Sequence, residues 1–272
     1  MKALLPTFLT LSLLFSAATL PAQVRNYTTQ QSELPCLDKT FSVVLHVLKD
    51  TFGNINVQLA DFNTNFNELN TAFEPICARF EICETRFIDN FQYDILSDDD
   101  EWQEMLVKEH KPNRINLFLV AESFLEDLRE SGFATPNGIA ELETGGIVVV
   151  KNSLGPDSKT LQHLMGHYFG LLHTFENAPA ELVNGTNCDT EGDLICDTPA
   201  DPYRLGDDPA SYLDTQVPCR FTLEELDDNG EYFRPDVGNY MSYYPEACRC
   251  GYTYEQYLKM ANNYLTSSPK MW

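Results

Sequence analysis

Three histidines stand within eleven residues of one another in Leu161–Glu176 (LQHLMGHYFGLLHTFE), although the whole chain holds only five. His163 and His167 are four apart, so on a helix they share one face, one turn apart. Gly170 follows three residues later, where glycine can accept the left-handed backbone that ends a helix. The chain can then turn and bring His173 up to the same point. Three imidazoles with an open fourth position is a catalytic zinc arrangement. Leu161, Met165, Phe169 and Leu172 are good core residues, but packing alone explains neither the histidine spacing nor the glycine break.

Hydrophobic patterning supplies a frame for that helix. Thr40–Leu48 (TFSVVLHVL) is β-branched and apolar and reads as a buried strand. In 56–73, Leu59, Phe62, Phe66, Leu69 and Phe73 recur at helical spacing. Strand character returns over Arg79–Ile88. Asp98, Asp99 and Asp100 put negative charge at the start of a helix reaching about Glu109. Two further strands follow at Asn116–Ala121 and Gly146–Lys151, then the histidine helix. The alternation predicts an α/β fold. From Glu176 to Asn239 the chain is rich in Asp, Gly, Pro and Asn with little periodicity, and a stretch that long inside a compact domain is usually functional or pinned by disulfides or metal. A last helix is expected over about Thr253–Leu265.

Compartment bears on the eight cysteines. Residues 1–23 read as a signal segment, basic at Lys2, apolar to Leu20, with small residues for cleavage around Ala17, Ala18 and Ala22. Residues 24–37 read as a short polar leader, and 38–272 as the folded domain. Export, extracellular or periplasmic, would let disulfides persist. Cys77 and Cys83 are close enough to close a small loop, and Cys188, Cys196, Cys219, Cys248 and Cys250 crowd the last third. Cys36 stands alone near the mature N-terminus. No paired C-x-x-C spacing points to thiolate zinc. A formal charge of −23 argues against nucleic acid and anionic membranes as partners.

The histidine segment resembles the long zinc signature of metzincin metalloproteases, H-E-x-x-H-x-x-G-x-x-H, and GHYFGLLHTFE is particularly similar to the pappalysin (ulilysin-like) family. Asn239-Tyr240-Met241-Ser242-Tyr243 resembles that family's Met-turn, and Gly192–Pro199 (GDLICDTP) its calcium-binding segment. The similarity runs from about Thr40 to the C-terminus. It implies a metzincin-like zincin domain of α/β (α+β) class: a twisted mixed sheet with two long helices above an irregular, disulfide-tied lower subdomain. It implies zinc on His163, His167 and His173, with Met241 as the hydrophobic floor beneath. Tyr243 would stabilise the oxyanion of the tetrahedral intermediate. Asp193, Asp197 and Thr198 would offer oxygen ligands to calcium. A peptide or protein ligand would occupy the cleft.

One position departs from the signature: Leu164 stands where the family carries glutamate. That glutamate takes a proton from the attacking water and hands it to the leaving amine, and leucine can do neither. General acid–base assistance is worth about 10²–10⁴-fold, so peptide hydrolysis should be lost or strongly impaired while all three ligands remain. Two alternatives stand beside this pseudoprotease reading. One is an active metalloendopeptidase with a non-standard base, for which Glu176 and Glu143 are the nearest candidates. The other is a non-catalytic, disulfide-stabilised binding protein. Family members also carry a pro-segment cysteine that can block zinc; Cys36 could cap the zinc in that way or form half of a disulfide.

Overall fold

Apolar side chains on both faces of Thr40–Leu48 require cover on both sides, and in the computed structural model this strand lies inside the sheet. The structure describes residues 34–125, 131–140, 144–268 and 270. The signal segment and most of the leader lie outside them. In chain order the elements are β1 (Lys39–Leu48), α1 (Leu59–Phe73), β2 (Ala78–Ile88), β3 (Ile95–Leu96), α2 (Asp99–Glu109), β4 (Ile115–Val120), β5 (Glu122–Ser123), β6 (Gly132–Ala134), β7 (Ile147–Val150), α3 (Thr160–Tyr168) and α4 (Tyr254–Thr266). The expected elements are present with small shifts at their ends. Asn56, for example, holds a left-handed φ of 50°, so α1 starts only at Leu59.

The main sheet has five strands in the order β2-β1-β4-β7-β6. All pair in parallel except β6, which runs antiparallel to β7 along one edge. Helical crossovers α1 and α2 make the β1–β2 and β1–β4 pairings possible, whereas β4 reaches β7 through the segment that carries β5 and β6. The α1 residues Phe62, Phe66, Leu69 and Phe73 form one core with α3 and α4, while Trp102, Met105 and Leu106 of α2 form a second with Phe118 and Val148. The sheet is therefore covered on both faces, with α2 alone on the face opposite the histidine helix. The fold is mixed α/β with a mainly parallel sheet.

Beyond Phe175 the chain is irregular as expected, organised around a third cluster of Phe175, Tyr203, Tyr212 and Tyr244. Disulfides Cys188–Cys196 and Cys219–Cys248 tie it, and Cys36–Cys77 ties the start of the domain to the end of the α1 crossover. The proposed Cys77–Cys83 loop does not form. Cys83 is the extra residue of a bulge in β2, where the register with β1 slips between Val43 and Val44, and its thiol meets the Val43 carbonyl instead. Cys83 and Cys250 are both free and exposed, which corrects their place among the disulfide candidates. Among the described residues, no helix is long and apolar enough to cross a membrane.

Candidate metal centre

At the start of helix α3, Ser158 Oγ accepts from the Thr160 amide at 3.1 Å, but the N-cap residue Lys159 has no capping side chain. Glu246, from the segment after the Met-turn, supplies one: its Oε1 accepts from the Lys159 amide at 3.1 Å and from Thr160 Oγ1 at 3.2 Å. At the other end Gly170 adopts φ 90°, and the Leu171 amide donates back to the Gly166 carbonyl at 3.0 Å. That closing bond is the left-handed helix stop predicted for Gly170, and it delivers His173 to the two helical histidines.

The three Nε2 atoms converge. His167 Nε2 lies 3.0 Å from that of His163 and 3.0 Å from that of His173, with all three ligand atoms within 4.8 Å of one another. The opposite ring nitrogens explain the orientation. His163 Nδ1 lies 2.7 Å from the Tyr240 carbonyl, and His167 Nδ1 lies 2.8 Å from the Leu171 carbonyl. A carbonyl only accepts, so each Nδ1 must carry the proton and each Nε2 a lone pair. Two lone pairs at 3.0 Å make no hydrogen bond and repel. A cation between them turns repulsion into ligation, so the donor set fits a metal ion. Burial also holds all three imidazoles neutral, with His167 pushed down to about 3, His173 to about 4, and His163 well below its ordinary value. Neutral imidazole is the ligating form.

Met241 is fully buried beneath this group, and a β-carbon on Gly166 of α3 would collide with its Sδ. The turn is fixed by its own side chains: Asn239 Oδ1 accepts from the Met241 amide at 2.9 Å, and Asn239 Nδ2 donates to Gln256 Oε1 at 3.0 Å. Tyr243 lies against the site, its ring 4.8 Å from His173 and 5.7 Å from His163. Its hydroxyl is buried with no hydrogen bond. Leu164 is 2% exposed and turns toward the edge strand, next to Gly132 of β6. The Glu176 carboxylate lies 3.9 Å from His173 Nδ1, the ring nitrogen opposite the converging Nε2. Glu143 lies outside the described residues.

Asp193 and Thr198 are buried, with Asp193 Oδ2 and Thr198 Oγ1 making no hydrogen bond of normal geometry. Asp197 is exposed and its Oδ2 accepts from the Glu255 amide at 2.9 Å, at the start of α4, while its charge still reaches Asp193. Glu181 is a further acidic neighbour: a β-carbon on Gly192 would collide with its Oε2. Burial, then the nearby Asp193 and Asp201 carboxylates, push Glu181 up to about 8, and burial pushes Asp193 up to about 7. Nothing in the local sequence marks Glu181, which lies twelve residues before Asp193.

The model of the Peptidase_M43 family, described as pregnancy-associated plasma protein-A, matches residues 123–265. No curated protein matches the sequence. Among solved structures, metalloproteinase-II from Bacteroides fragilis is similar at 13% identity over 52% of this chain and 45% of that one, with a TM-score of 0.37. The chain thus spans less than half the length of that structure. The family match takes in β6, the histidine helix, the Met-turn and nearly all of α4, more than half of the chain, and the protein belongs to the Peptidase_M43 family of metallopeptidases.

Proposed function

We propose that this protein is a secreted, zinc-binding pappalysin-type protein that has lost, or nearly lost, peptide hydrolysis while keeping the cleft that receives peptides. The observation that carries this reading is the contrast at α3. Three histidine nitrogens converge in the ligating form, while the next side chain, Leu164, is buried toward β6 and holds no proton to move. A bound zinc ion would supply Lewis-acid polarisation of a peptide carbonyl. His163, His167 and His173 would hold it, with Met241 packed beneath. Tyr243, whose hydroxyl has no partner, would donate to the carbonyl oxygen as charge develops there. Glu176, one of the candidates for a replacement base, approaches the far nitrogen of His173, opposite the converging Nε2.

Asp193, Thr198 and Glu181 would hold calcium, a hard cation suited to buried carboxylate oxygens. Three disulfides fit an oxidising compartment, and residues 1–23 would direct export. The acidic surface favours a peptide or protein ligand over nucleic acid or anionic lipid.

The test pairs metal analysis with a peptidase assay on wild type and Leu164→Glu. Wild type should carry one zinc per chain and cleave nothing measurable, and Leu164→Glu should gain cleavage that a chelator abolishes. Strong chelator-sensitive cleavage by wild type would overturn the pseudoprotease reading in favour of a working peptidase. Absence of stoichiometric zinc would favour a binding protein with vestigial histidines.

A further inference from the structure

Beside His163 lies a cavity of about 120 Å³ whose wall includes Leu164, Tyr203, Tyr243, Glu246 and Arg249. A single water needs roughly 10–15 Å³ of such space, so there is room for a side chain of several heavy atoms. Two donors on this wall are buried without an acceptor: Nε of Arg249 and the hydroxyl of Tyr243. The Arg249 side chain is only 11% exposed, and its ion pair is a 3.3 Å contact from Nη2 to Glu246 Oε1. That oxygen also accepts from Ser158 Oγ at 3.3 Å, from the Lys159 amide and from Thr160 Oγ1. Glu246 is thus engaged at the start of α3, and the guanidinium beside it is incompletely compensated. Burial accordingly pulls the Arg249 pKa below its ordinary value.

A guanidinium presents five N–H groups in a rigid fork that matches a carboxylate. A buried donor left unpaired is costly, and a ligand that pairs it recovers that cost. Arg249 is also held in place. It follows Cys248, whose disulfide to Cys219 anchors the segment, and its amide donates to the Glu246 carbonyl at 3.1 Å. Leu164 and Tyr203 on the same wall would pack against the methylene stem of an acidic side chain.

We propose that this cavity is a carboxylate pocket, in which Arg249 receives the acidic side chain or free C-terminus of a peptide whose backbone lies over the histidines. The proposal rests on the reading of a metal-bearing peptide cleft and adds the chemistry that the cleft selects. Arg249 acts in specificity and takes no part in proton transfer.

The test uses the zinc-loaded full chain and short peptide hydroxamates, whose chelating end anchors them at the metal. One series carries Glu, Gln, Leu or Arg beside the hydroxamate with an amidated end, and one further probe pairs Leu with a free carboxylate end. Titration calorimetry should show Glu binding at least about tenfold tighter than Gln, or the free carboxylate end tighter than its amide by as much. The first result assigns the pocket to a side chain and the second to a chain end, and either supports it. Arg249→Gln should bring the preference within about twofold at unchanged zinc content, and Arg249→Lys should keep part of it. The wild-type comparison decides the matter even if Arg249→Gln fails to fold. Equal affinity across Glu, Gln and both ends, or tightest binding of the Arg probe, overturns the proposal while leaving the cleft intact. If no hydroxamate binds the zinc-loaded chain, the peptide cleft falls and the pocket with it.

Discussion

Leu164 packs against the backbone of Gly132: a β-carbon placed on that glycine would stand 2.8 Å from Leu164 Cδ1. The leucine is thus a bridge between the histidine helix and the edge strand. Leu164→Ala should therefore cost about 2–4 kcal/mol in denaturant unfolding, because the vacated space cannot fully collapse. Leu164→Glu places a carboxylate in the same apolar contact and should destabilise the metal-free protein by about 1–3 kcal/mol. Added zinc should shrink that deficit for the glutamate variant and leave the alanine deficit unchanged, since only a carboxylate gains from a nearby cation.

Gly166 faces Met241 where no β-carbon fits. Gly166→Ala must push Met241 aside, and overpacking of this kind costs about 1–3 kcal/mol. The displaced turn carries the Tyr240 carbonyl that orients His163, so zinc affinity should fall alongside the melting temperature. Chelator competition measures the first and calorimetry the second. Gly155→Ala, where nothing lies within 4 Å, is the matched control and should change neither.

How much of this was legible in the residues alone differs by element. The strands at Thr40–Leu48 and Gly146–Lys151 and the helices at α1 and α4 announce themselves because their apolar residues follow one period and their neighbours in sequence complete the pattern. The histidine spacing was legible for the same local reason. Strand β6 was not, since its three residues exist only through pairing with β7. Cys36 met Cys77, rather than Cys77 meeting Cys83, because the bulge at Cys83 is a property of sheet register. Glu181 and Arg249 escaped notice because each gains its role from side chains distant in sequence or from burial that no local motif encodes.

His46 gives acid sensitivity to a part of the molecule remote from the metal. It is wholly buried on β1, stacked on Phe118 at 4.2 Å, with Nε2 3.0 Å from Asn116 Oδ1. Burial lowers its pKa from 6.5 to about 4, the Asn116 bond opposes this, and Arg86, His110 and Lys111 add to the lowering. A depressed folded-state pKa stabilises above the unfolded value and loses that contribution as pH falls through the folded one. The loss should therefore span pH 6.5 down to about 4 and amount to about 3 kcal/mol. Urea unfolding at stepped pH should show a shallower acid decline for His46→Gln than for wild type, by roughly that amount.

Calcium should stabilise the irregular half. With Glu181 and Asp193 buried and held toward their neutral forms, a divalent cation would compensate the carboxylate charges that burial otherwise penalises. Adding calcium at neutral pH should raise the melting temperature by several degrees, on the order of 1–3 kcal/mol at saturating levels. Asp193→Asn should abolish that shift, whereas Asp197→Asn, on a carboxylate committed to the start of α4, should keep it. Equal shifts in all three proteins would move the ion elsewhere.

The carbonyl that aims His163 belongs to Tyr240, seventy-seven residues further along the chain. All three histidines leave the ribosome well before that carbonyl is made. A chain truncated after His173 would own every ligand yet lack the group that sets the first one's tautomer. Metal capture would thus wait on completion of the C-terminal third, which supplies the carbonyl that aims His163.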